Sequence, residues 1–355
     1  MENILVQRRI FAAPLTEFEL TLLDHFQHDF PLMSRPFAEI GKRLDVDEML
    51  VIDTLQSLQT RGLVSRVGAV FQPNVIGVST LAALAVPPAR LEAVAMQVST
   101  FSEVNHNYER EHYFNLWFVV TAASAAQLQS LLHEIEAVCA TGPVLALPLL
   151  EPFHIDLGFA LGHMPAAPNV PSLSVERPAV AAITLSAAEQ GLIAALQGGL
   201  QLVSQPFAQL GWSEADALAT LSLWCREGVI KRFGVVVHHR ELGFTANAMV
   251  VWDVPDALVT VVGKRVAESG CVSLCYRRPR RAPHWPFNLF CMIHGKDRDA
   301  VEQRIADLAA CCELGAYRQS ILFSRRRFKQ CGAQYVKNPG AAANGDLAGL
   351  ACGPC

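Results

Sequence analysis

The sequence predicts an α+β protein made of two tandem copies of one plan, each a winged helix-turn-helix followed by a ferredoxin-like αβ domain. Three observations carry this expectation. Short motifs recur at a nearly constant offset. Each copy opens with three segments of helical periodicity. Each closes on the order strand, helix, strand, strand, helix, strand. Two such copies in one chain form an internal pseudo-dimer.

The repeats are specific. Pro36-Phe37-Ala38 with Gly41 returns as Pro206-Phe207-Ala208 with Gly211, and Gly62 to Gly68 returns as Gly228 to Gly234. Tyr108-Glu109-Arg110 returns as Tyr276-Arg277-Arg278, and Asn115-Leu116 as Asn288-Leu289. The offsets stay between 166 and 173. Residues 162–178 hold four prolines and few large apolar side chains, the composition of a linker. Residues 337–355 read as a disordered Gly/Ala-rich tail. The expected domains are a winged helix over 1–76, a ferredoxin-like domain over 77–161, a second winged helix over 179–242 and a second ferredoxin-like domain over 243–336.

In copy one, residues 15–28 form the first predicted helix. The second starts at Pro36, where proline suits a first turn, and runs to Leu44. Asp47 caps the third, which Gly62 ends. Residues 63–71 alternate as a short wing hairpin. In copy two, Ser213 and Asp216 offer a capping-box-like start to the matching third helix. The ferredoxin-like strands and helices follow at 80–86, 90–100, 103–108, 114–121, 125–140 and 144–152. Their counterparts are 246–253, 258–269, 271–277, 287–294, 298–312 and 316–323.

Composition bounds the function. With 51% hydrophobic residues the 355-residue chain supports sizeable cores, and no apolar run reaches the length of a membrane span. The N-terminus lacks the apolar core of a signal peptide, so a cytoplasmic protein is expected. The ten cysteines then read as reduced core residues. The formal net charge of −4 disfavours nucleic acid. The third helices, which would enter a DNA groove, begin with Asp45, Asp47 and Glu48 in copy one and with Glu214 and Asp216 in copy two. Carboxylates there repel phosphates, although Arg43, Arg61 and Arg66 remain available to a backbone. Against this acidic background, residues 275–331 hold twelve Lys/Arg and five Asp/Glu, so one region is built to meet an anion. Cys352-Gly-Pro-Cys355 spells a redox motif, but no strand precedes it and no helix follows. No Cys/His spacing reads as a metal site.

Two segments are unusual: His106 to Phe118, and Cys275 to Arg278 followed by Trp285 to Gly295. They resemble the signature segments of the siroheme decarboxylases, a family on the plan of the Lrp/AsnC regulators. The first copy is similar to the NirD type and the second to the NirL type, as in fused NirDL proteins. The likeness covers nearly the whole chain apart from linker and tail. It implies loss of carbon dioxide from two acetate side chains of siroheme, giving didecarboxysiroheme on a route to d1-type haem or an alternative route to haem. It implies no organic cofactor, iron being part of the substrate. It also implies partner subunits of the NirG/NirH type, with no DNA and no membrane; a homodimer is possible.

A flat apolar polyanion requires arginines, whose planar fork meets a carboxylate bidentately, and aromatic walls. The substrate-binding candidates are Tyr108, Arg110, Tyr276, Arg277, Arg278, Trp285, Asn288, His294 and Lys329. Decarboxylation leaves electron density on a methylene carbon, which must then be protonated. Histidine is the natural donor near neutral pH, so His106 and His112, flanking Tyr108 and Arg110, are the catalytic candidates. They would deliver the proton, hold the reacting carboxylate or ligate the iron. Cys275 falls near the place of His106 in the second copy, which makes the copies chemically unequal. A ligand-responsive regulator and a non-catalytic haem carrier are the rival readings.

Overall fold

The computed structural model describes residues 15–155, 182–238 and 241–336. The proposed linker and the terminal Cys-x-x-Cys lie outside them.

Copy one opens with α1 (Glu17–Phe26), α2 (Pro36–Leu44) and α3 (Glu48–Thr60). Thr16 and Glu19 close a reciprocal capping box on α1, and the Asp47 carboxylate accepts from the Met49 amide on α3. Copy two opens with α6 (Ala187–Gln197) and α7 (Glu214–Glu227), and the counterpart of α2 shrinks to a single 3-10 turn at Phe207–Gln209.

The expected wing hairpins do not form. Each copy supplies one wing strand, β1 (Val64–Phe71) and β7 (Ile230–Val237), and the two pair antiparallel with each other across the copies. Helix ends also cross over. Leu200 N donates to Val67 O at 2.7 Å beside β1, and Arg232 of β7 donates to Gln27 O at 2.7 Å. A Cβ at Gly234 would stand 2.4 Å from the carbonyls of Phe26 and Gln27, so the glycine makes that approach possible. Alternating glycines and apolar residues therefore look like a local hairpin, but their partner lies in the other copy. One continuous apolar core, from Leu22 to Val237, fills both winged helices.

The expected DNA-reading helix starts face the opposite copy. Ser34 donates to Glu214 at 2.9 Å, Ser204 donates to Glu48 at 3.3 Å, and Glu48 also pairs with Arg35. Those carboxylates bind the two halves together.

The rest of the chain builds one nine-stranded sheet. Copy one gives β2 (Val78–Leu84), β3 (Val104–Arg110), β4 (Leu116–Ala122), β5 (Leu145–Pro148) and β6 (Glu151–Ile155), with α4 (Leu91–Thr100) and α5 (Ala125–Cys139). Copy two gives β8 (Ala246–Trp252), β9 (Leu274–Arg277), β10 (Leu289–Gly295) and β11 (Gln319–Gln330), with α8 (Val259–Glu268) and α9 (Arg298–Cys311). The strand order is β5-β2-β4-β3-β11-β8-β10-β9-β6. The last expected strand of copy one is thus split: β5 stays on its own half and β6 crosses to β9. In the same way β11 pairs with β8 through Phe323 and then crosses to β3, so the Arg-rich segment is strand.

This exchange has a geometric consequence. β5 and β6 lie at opposite edges of the sheet, yet only Leu149 and Leu150 separate them. The three Cα steps from Pro148 to Glu151 reach at most about 11 Å, so the sheet must curl until its edges come together. The helices pack outside, over two separate cores. Inside, Trp117, Leu147, Met249, Phe290, Trp285 and Phe287 from both halves form an aromatic plug. No helix among the described residues is long and apolar enough to cross a membrane.

Candidate active site

A cavity of about 440 Å³ lies between the curled sheet and the paired wing strands. That volume is within the range of ligand pockets. Strand alternation decides what points in: His106, Tyr108 and Arg110 from β3, and Leu274, Tyr276 and Arg278 at the matching positions of the β9 segment. His294 enters from β10 and His238 from the end of β7. Arg66 and Arg232 come from the wing strands above.

Arg110 is 8% exposed and donates to Leu322 O at 3.1 Å on the crossing strand of the other copy. Arg278 makes the mirror-image bond to Leu147 O. Each guanidinium sits against the tyrosine two residues before it, at 5.8 Å and 5.2 Å from the ring centres. Neither has a carboxylate partner among the described residues. Burial lowers both to about 10, so both stay charged at neutral pH. Burial raises Tyr276 to about 12, which keeps its hydroxyl protonated. Tyr108 donates to Gln330 at 2.9 Å, and Ser273 and His294 Nδ1 are 2.8 Å apart. His106 stacks on Tyr108 with ring centres 6.3 Å apart. Cations, phenols and imidazoles on apolar walls suit a flat molecule bearing several carboxylates.

Five other candidates lie elsewhere. His112 is beyond the aromatic plug, edge-on to Trp285 at 5.4 Å, and accepts from Phe114 N at 3.1 Å; burial lowers its pKa. It borders a separate surface pocket with Glu109, Glu111, Arg325 and Arg326. Trp285 is 0% exposed and belongs to the plug. Asn288 ties the chain to Val254 through both amide atoms, at 3.0 and 2.9 Å, as Asn115 does to Val86. The repeated Asn-Leu motif is therefore a structural brace. Arg277 faces outward toward Glu151 at 3.8 Å, because it falls between two inward positions. Lys329 caps the end of α4, donating to the carbonyls of Ser99 and Phe101.

The basic segment as a whole is also corrected. Arg280 pairs with Asp253 and Asp256, Arg298 with Glu111, Arg326 with Glu109 and Glu92, and Arg327 with Glu241. Acids from elsewhere in the chain neutralise it. Leu274, rather than Cys275, occupies the place of His106; Cys275 matches Asn107, and both reach the helix behind, at Gly263 O and Ala95 O.

Comparison with known proteins sharpens this. Residues 19–64 match the siroheme decarboxylase NirDL-like HTH domain, and residues 76–154 and 241–329 match the AsnC-like ligand binding domain. A siroheme decarboxylase NirDL subunit from Paracoccus denitrificans (strain Pd 1222) is 43% identical over 324 residues, covering 90% of this chain and 97% of that one. The chain belongs to the siroheme decarboxylases. A crystal structure of the siroheme decarboxylase NirDL superposes with a TM-score of 0.66 at 27% identity, covering 90% of this chain and 94% of that one. A second structure of NirDL, in co-complex with an iron-uroporphyrin III analogue, gives 0.64 at 26% identity over 89% and 93%.

Within this family fold, Arg232, Gln197 and Tyr335 line the cavity without having been sequence candidates, His238 lines it although adjacent His238 and His239 point to opposite faces of a strand and so rarely share a ligand, and Arg66 was expected only as a phosphate contact. Arg66 and Arg232 carried a usable signal, since each recurs in the Gly62–Gly68 and Gly228–Gly234 repeat. Gln197 and Tyr335 carried none, because they meet only through the fold.

Proposed function

We propose that this chain decarboxylates siroheme in the cavity between the curled sheet and the wings, giving 12,18-didecarboxysiroheme. The observation that carries the reading is the charge arrangement. Arg110 and Arg278 sit on opposite halves of one cavity, charged, buried and without carboxylate partners among the described residues. A buried guanidinium costs several kcal/mol of desolvation unless an anion joins it, at roughly the magnitudes known for buried ions. The bound structure of the NirDL relative contains an iron-uroporphyrin III analogue, a ligand of the same chemical class.

The arginines hold peripheral carboxylates and fix the ring against Tyr108, Tyr276 and Phe290. In the reaction, the bond between an acetate methylene and its carboxylate breaks. Carbon dioxide leaves, and the electron pair stays on the methylene carbon, delocalised into the macrocycle. His106 then delivers the proton that completes the methyl group. The macrocycle is its own electron sink, so no organic cofactor enters. Cytoplasmic placement, a NirG/NirH-type partner pair and a homodimer belong to the same reading. The carboxylates at the starts of α3 and α7 serve the pairing of the copies, which supports a reading without DNA.

Anaerobic incubation with siroheme, followed by mass analysis of the pigment, tests this. Stepwise loss of two carbon dioxides is expected. Bound but unchanged pigment would make the protein a carrier, and sequence-specific, salt-sensitive DNA retention would make it a regulator.

A further inference from the structure

The wing arginine Arg66 has no evident structural task. Its Nε is buried without a hydrogen-bond partner among the described residues, and its Nη2 makes a long 3.3 Å contact to Ala69 O. No carboxylate among the described residues pairs with it, and burial lowers its pKa. Its counterpart Arg232 is anchored differently, with one Nη1 donating to Gln27 O at 2.7 Å and Val235 O at 3.2 Å. Both line the cavity.

The segment after β11 is shaped around Arg66. Residues 331–333 and Tyr335 line the same cavity. A Cβ at Gly332 would stand 3.0 Å from Arg66 Nη1, so a side chain there would push the guanidinium aside. Gln197, at the end of α6, clamps this strap: its Oε1 accepts from the amides of Tyr335 and Val336, and its Nε2 donates to Val336 O at 3.0 Å. Tyr335 packs edge-on to Phe71 at 5.8 Å, next to the guanidinium. A methionine would fill this volume without the desolvation cost. A pre-positioned guanidinium fork with spare donors fits an oxyanion, and the proposed substrate offers carboxylates.

We propose that Arg66 grips a peripheral carboxylate of the tetrapyrrole from the winged-helix side, with the 331–336 strap holding its guanidinium in place. This rests on the decarboxylase reading and extends it. The former DNA-binding half becomes part of the substrate site, and Arg66 distinguishes a heavily carboxylated macrocycle from one with few carboxylates.

The test is anaerobic titration of the full chain with two iron porphyrins, iron-uroporphyrin III with eight carboxylates and an iron mesoporphyrin with two. Arg66→Met should weaken the first by about ten- to a hundredfold, the range for a lost charge-assisted hydrogen bond, and the second by no more than about twofold. Gly332→Val should reproduce the pattern with Arg66 intact, and Arg66→Lys should recover part of the loss. Equal losses for both porphyrins, or a loss for neither, would overturn the proposal. If the unmodified protein bound no iron-uroporphyrin III at all, the decarboxylase reading itself would fall, and this proposal with it.

Discussion

The two halves of the cavity match in their cations and differ in their imidazoles. Arg110 and Arg278 occupy equivalent positions, each beside a tyrosine and each bonded to a carbonyl of the opposite copy. His106 faces the pocket from copy one, whereas copy two has Leu274 there; His294 instead stands where copy one has Thr121. The difference separates two jobs. Holding a polyanion across a pseudo-two-fold axis needs cations on both sides. In the proposed reaction each of the two reacting carbons needs its own proton, and the copies would offer imidazoles from different strands, His106 from β3 and His294 from β10.

The sharpest way to break this comparison is through turnover. His106→Ala should lower the decarboxylation rate by about 10²–10⁴-fold with little loss of porphyrin binding, while Leu274→Ala leaves the rate near normal. Single-turnover assays on both variants measure this, and equal rates would end the assignment of His106. Next in size is binding. Arg110→Met and Arg278→Met should each weaken iron-uroporphyrin III by about ten- to a hundredfold, and by similar factors. A large inequality in anaerobic titrations would mean that the cation frame is not matched after all.

Stability should move the other way. Burial depresses the guanidiniums of Arg110 and Arg278, so the folded state resists their charge. That cost is fully present below about pH 10 and is relieved as pH rises from there toward the unfolded value. Arg110→Met should therefore leave the ligand-free protein as stable as before or up to about 4 kcal/mol more so, in urea melts at neutral pH. Arg43, paired at the surface with Asp29 and Glu39, gives the contrast: Arg43→Met should cost no more than about 1 kcal/mol. The smallest effect is acidic. Burial lowers the pKa of His112 and His238, so the unfolded chain takes up their protons first. Stability should decline as pH falls below about 6.5, and His112→Phe should flatten part of that slope in melts at successive pH values.

Much of the fold was legible. The repeated motifs gave two copies, capping residues marked the starts of α3 and α7, and the order of elements gave a ferredoxin-like domain in each half. The wings were misread because alternation reports that a strand has a partner and is silent about which one. The site was partly legible. His106, Tyr108 and Arg110 were picked by residue type, and β3, running to Arg110 rather than 108, puts all three on one face; His112 follows the end of β3, where alternation no longer applies. Asn288 and Arg277 have the residue types of a binding site and spend them on a brace and an ion pair.

Local chemistry, read along the chain, determined the repeat, the elements and the candidacy of His106, Tyr108 and Arg110. Only the tertiary structure decided which arginines remain without carboxylates. Pairing depends on long-range neighbours: the basic run at 325–327 meets Glu92, Glu109 and Glu241 from distant segments, while Arg66, Arg110 and Arg278 face a cavity lined by no acid among the described residues. Charge counted along a sequence cannot show this, because Coulomb attraction acts over ångströms of space rather than over residues of chain.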